Sequence, residues 1–135
     1  MRFALWTVQV LLALAFVMAG GMKLTAPIAE LAAQMAWVDS SPALLVRFIG
    51  LAEVLGAIGL IVPAATRILP WLTALAGAGL ATVMALAIPM HIALGEPEAL
   101  VPVTVLMGLA IFVAVGRSKL APIEARTPAP TPAHA

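Results

Sequence analysis

Four side chains in an otherwise apolar chain have the types and placement to do chemistry: Lys23, Arg47, Glu53 and His91. Glu53 stands near the middle of PALLVRFIGLAEVLGAIGLIVP, Pro42 to Pro63, a run long enough to cross a bilayer. A carboxylate at that depth costs several kcal/mol unless it is paired, hydrated or protonated, so its presence needs a reason. Such a group can lock into an ion pair or hold and release a proton, and the two uses imply different roles. Arg47 lies six residues before Glu53, on roughly the opposite side of one helix. Lys23, from the preceding apolar run, and His91, from the following one, are therefore its better-placed partners. Together the four could line a polar pocket for the head group of a membrane-soluble molecule. Glu53 and His91 would exchange protons there, and Lys23 and Arg47 would orient its oxygens. The plain alternative is an ion pair that only fixes helix register.

The elements that must position these residues are legible from composition. Of the 135 residues, 64% are hydrophobic and 10% charged, with a mean hydropathy of +1.15, which is the balance of an integral membrane protein. At about 20 residues per span, the length allows four transmembrane helices with short loops and no separate soluble domain. Cysteine is absent, which removes disulfides, thiol nucleophiles and thiolate-held metals or iron–sulfur clusters. Histidine occurs only at 91 and 134, the second in the tail, so one chain offers no multi-histidine metal or bis-histidine haem site. The formal net charge of +1, without a basic run, makes no case for nucleic acid.

Taken in order, the spans are expected at about 3–23, 42–63, 70–93 and 99–116, forming an all-α four-helix bundle over residues 1–120. Gln9 is the one strongly polar residue of the first and reads as a packing contact. Between the first two spans, Ile28, Leu31, Ala32 and Met35 form an i, i+3, i+4, i+7 stripe, with Glu30 and Gln34 off it. This predicts a short amphipathic helix over about 27–37 at the membrane surface, or folded back as a lid. Trp37 suits the headgroup belt, and Ser41 suits a cap for the second span. Gly50, Glu53, Gly56 and Ala57 share one face there, and Ala74, Ala78, Thr82 and Ala85 form a small-residue stripe in the third. Pro89 interrupts that third span close to His91. The proline- and alanine-rich segment 121–135 reads as a flexible tail.

Orientation follows from the basic residues. Arg2, Arg67, Arg117, Lys119 and Arg126 collect on the side shared by both termini, against Lys23 and Arg47 on the other, which predicts cytoplasmic termini. Lys23, Arg47, His91, Glu96 and Glu98 then lie in the extracytoplasmic half, with Glu53 one or two turns deeper.

AFVMAGGMKL closing the first span, RFIGLAEVLGAIGLIVP in the second and AIPMH late in the third resemble the pattern of DoxX-like small membrane proteins. The resemblance spans about Phe3 to Gly116. It rests most on Lys23 after the glycines, the Gly50-Leu51-Ala52-Glu53 step, Gly56, and Gly59 through Pro63. It implies a compact four-helix membrane bundle. Some members of that group are associated with quinone-linked oxidation of sulfur compounds and others with membrane redox or stress-response assemblies. The chain lacks cysteines and has no flavin, haem or metal motif, so the expectation is a quinone- or lipid-binding subunit or accessory, not a self-sufficient oxidoreductase. A redox partner protein or a homo-oligomer fits that role. Two other readings stand beside it: a carrier or small pore with Glu53 as its coupling residue, and a scaffold whose polar core is purely structural.

Overall fold

A computed structural model describes residues 1–129. Helix α1 is Arg2–Thr25, α2 Ile28–Gln34, α3 Ala36–Asp39, α4 Ala43–Thr66, α5 Trp71–Leu94 and α6 Pro97–Val115, continued by a π-helical turn over Gly116–Leu120. The four long helices alternate in direction. In packing order α1 meets α4, α4 meets α5 and α5 meets α6, while a lighter contact between α1 and α6 closes the ring. Each is long and apolar enough to cross a bilayer, counting α6 with its π-helical turn as one span.

Prolines set several of the starts. Pro42 and Pro70 stand at the N-caps of α4 and α5, and Pro97 is the first residue of α6, where a missing N–H costs no internal bond. Helix α5 ends on Gly95, whose φ of +69° suits a residue without a β-carbon. The Gly95 and Glu96 N–H groups turn back to the carbonyls of Ile92 and His91, at 3.1 and 3.0 Å. That wrap also brings Glu96 over His91.

Leu12, Phe16, Ala57, Leu60, Leu80, Met84, Ala110 and Val113 form the main core along the ring's interior. Outward-facing Leu11, Leu14, Met18, Leu44, Leu55, Leu75 and Val101 are exposed, as lipid contact requires. Where both partners are equally apolar, close approach rather than hydrophobicity binds the helices. Gly20 of α1 and Gly50 of α4 supply that approach: a β-carbon on Gly20 would meet the Gly50 oxygen at 2.7 Å.

Four local expectations are corrected. The segment between the first two spans is two short helices broken at Met35, whose extended backbone redirects the chain. Trp37 is not a headgroup anchor: it is 7% exposed and packs with Leu31, Val38 and Val46, so of the two placements expected for the segment the folded-back one is observed. Ser41 leaves α4 uncapped and donates instead to the Trp37 carbonyl at 2.6 Å. On α5 the stripe of Ala78, Thr82 and Ala85 is exposed, and the buried face is Thr73, Gly77, Leu80, Ala81 and Met84. After the π-helical turn the chain is irregular, and Arg126 N–H bonds the Arg67 carbonyl at 2.9 Å. His134 and the rest of 130–135 lie outside the described residues.

Candidate functional site

The second span presents Val46, Gly50, Glu53, Ala57 and Leu60 to its neighbours, a seam at i, i+3, i+4 spacing, so Glu53 faces inward and is 2% exposed. Three residues beyond Gly20, Lys23 emerges from α1 at the same level. Its Nζ donates to both Glu53 oxygens, at 2.9 Å to Oε1 and 2.7 Å to Oε2. Two of its three ammonium hydrogens are thereby used, and one remains for another acceptor. The glycine crossing is what allows this: any larger side chain at Gly50 would drive against the Lys23 β-carbon, 2.8 Å from where its own would stand.

The pair borders a cavity of about 560 Å³, in the size range of small-molecule sites. Phe16, Ile49, Met84 and Met90 supply apolar wall, and Trp37 covers it from the α2–α3 segment. Exposed Phe48 of α4 and Leu86 of α5 also line it, so the cavity reaches the outer face of the bundle within the span. At the end of the bundle, His91, Glu96 and Glu98 form its polar margin. His91 Nδ1 lies 2.8 Å from Glu96 Oε2, both side chains being mostly buried.

Of the four residues singled out from sequence, Lys23, Glu53 and His91 line this one cavity and Arg47 does not. Arg47 Nη1 donates to the backbone carbonyl of Lys23, where it satisfies a helix-end acceptor and braces the last turns of α1. Glu53 pairs with Lys23 and not with His91, whose partner is Glu96. Trp37, Gln34, Glu96 and Glu98 also line it, beyond the four residues singled out from sequence. The two glutamates carried a signal, since their turn lies at the same end as Lys23. Trp37 carried none, because an aromatic in an amphipathic helix fits the interface and the interior equally.

The chain matches the DoxX-like family over residues 7–115, which includes Lys23, Glu53 and His91. The chain belongs to the DoxX-like family. Neither curated proteins nor solved structures gave a match. Family and helix character together make this DoxX-like protein a multi-pass membrane protein. Among its described residues no group of His, Cys, Asp or Glu could hold a metal ion.

A second polar network lies at the opposite end of the DoxX-like bundle. Gln9 Nε2 donates to the Leu60 carbonyl at 2.6 Å, and Gln9 Oε1 accepts from Arg117 Nε at 2.6 Å. Arg117 is 5% exposed and its guanidinium stands 5.4 Å from the Trp6 ring centre. The amide thus joins α1, α4 and the π-helical turn, and Arg117 is no mere helix-end charge.

Proposed function

We propose that this DoxX-like protein binds a quinone or a lipid of similar build in the cavity beside Lys23 and Glu53, as a membrane subunit or accessory of a redox system. The observation that carries this is the placement of a buried ammonium–carboxylate pair on the wall of an apolar cavity whose lining includes the outward-exposed Phe48 and Leu86. A structural ion pair alone needs no adjoining cavity. The third Lys23 hydrogen gives a donor for a carbonyl or hydroxyl oxygen, the Glu53 carboxylate accepts from a hydroxyl, and Phe16 and Trp37 offer flat apolar surface to a ring.

The residues present therefore fit a quinone head, which when bound would supply two-electron, two-proton redox chemistry. Glu53 would hold a proton at Oε1 or Oε2, and His91 with Glu96 would pass it between the cavity and the end of the bundle. Arg47 acts indirectly, by fixing the backbone that carries Lys23. The excess of Arg and Lys beside the N-terminus supports cytoplasmic termini, which puts this cavity in the extracytoplasmic half. A redox protein or a second copy of the chain would be the partner.

Trp37 lines the cavity, while Trp6 and Trp71 do not. Titrating the purified protein with a short-chain quinone should quench tryptophan fluorescence saturably, and Trp37→Phe should remove most of that change. Unsaturable quenching, or quenching untouched by Trp37→Phe, would count against the reading.

A further inference from the structure

Charge is divided unevenly between the two ends of the bundle. The end with the α4–α5 turn carries Arg2, Arg67, Arg117, Lys119 and Arg126 against one carboxylate, Glu124. The cavity end carries Lys23 and Arg47 against Glu30, Asp39, Glu53, Glu96 and Glu98.

At the basic end, the fold adds to the repulsion. Arg67 closes α4 in the left-handed region, at φ 58°, and its carbonyl accepts the Arg126 N–H at 2.9 Å. The segment leaving the π-helical turn is thereby laid across the α4–α5 turn, and two exposed arginines are joined backbone to backbone. Among the described residues no carboxylate forms an ion pair with either, Glu124 included: the ion pairs are Lys23–Glu53 and His91–Glu96, both at the other end. Behind them Arg117 is buried, and its Nη2 has no acceptor among the described residues. That Nη2 is closed to solvent, so Arg117 contributes its field and not a contact, whereas Arg67, Arg126 and Lys119 are exposed. Two exposed arginines whose backbones are held side by side, with no ion-pair partner among the described residues, offer positive charge to an anion.

The surroundings indicate which anion. Ile68, Leu69, Trp71 and Leu120 are all exposed beside these residues, 56–60% by area. A free phosphate would meet the charges but gain nothing from this collar. A phospholipid satisfies both, its phosphate on the arginines and its chains on the apolar side chains.

We propose that Arg67 and Arg126, joined across the α4–α5 turn, bind the head group of an anionic phospholipid, with Lys119 and the buried Arg117 adding to the positive field. This site is separate from the cavity and does not depend on what the cavity holds.

Native mass spectrometry of the full chain, titrated with phosphatidylglycerol and with phosphatidylcholine of the same acyl composition, tests it. The parent should prefer phosphatidylglycerol, and each exposed charge removed should weaken that preference about fivefold. Arg67→Gln with Arg126→Gln should then bring the two lipids close to equal, while Arg67→Lys with Arg126→Lys keeps most of the preference. Circular dichroism would establish that the variants stay helical, as expected for exposed positions. Equal binding of the two lipids by the parent, or an undiminished preference in the double glutamine variant, overturns the proposal. Displacement of phosphatidylglycerol by millimolar inorganic phosphate would also overturn it, by making the site one for a free anion.

Discussion

Gly20 and Gly50 occupy each other's side-chain space: a β-carbon on Gly20 would stand 2.7 Å from the Gly50 oxygen, and one on Gly50 would stand 2.8 Å from the Gly20 oxygen. Backbone against backbone at this crossing sets the distance from α1 to α4, and so the reach of Lys23 to Glu53. Gly50→Val should destabilise the bundle by about 1–3 kcal/mol, the usual range for overpacking where backbone cannot yield. Gly21→Ala is the matched control, because nothing lies within 4 Å of its added carbon. Thermal unfolding in mild detergent should separate the two, and an unchanged midpoint in Gly50→Val would refute the close crossing.

The Lys23–Glu53 pair predicts a non-additive pattern. Removing one partner strands the other in the interior, so Lys23→Met alone should cost about 3–5 kcal/mol. Replacing both, Lys23→Met with Glu53→Leu, should recover most of that loss. A double-mutant cycle by chemical unfolding measures the coupling, and additive losses would show that the two charges do not depend on each other.

At the far end, Gln9 serves as the acceptor for a buried guanidinium. Gln9→Leu should leave the buried Arg117 Nε without its acceptor, at about 1–3 kcal/mol, while the Leu60 carbonyl keeps its bond within α4. Adding Arg117→Met should restore part of the stability, read by the same unfolding experiment. No loss in Gln9→Leu would mean that the network is dispensable.

How far the sequence revealed this arrangement differed from residue to residue. The inward face of α4 was readable because Gly50, Glu53 and Ala57 are themselves unusual in a span, and small or charged residues there mark protein contact. Lys23 was readable as a partner because alternating helices bring it to the depth of Glu53. The buried face of α5 was not, since that helix is apolar all round and its alanines suit lipid and protein alike. Arg117 looked like an ordinary helix-terminal cation. Only the π-helical turn, which follows α6 and has no periodic signature, shows it buried toward Gln9 and Trp6. Arg47 likewise carried no sign that its partner would be a backbone carbonyl.

The most direct test of ligand binding at Lys23 and Glu53 is organic extraction of the purified protein, followed by mass spectrometry of what it retained. The parent should carry quinone or a comparable lipid, and Glu53→Gln should lose it while circular dichroism shows the helices intact. The Lys23→Met, Glu53→Leu variant should lose it as well, despite its recovered stability, which separates binding from folding. Equal retention by the parent and Glu53→Gln, or a parent that carries nothing, would contradict the assignment and leave the pair a structural one.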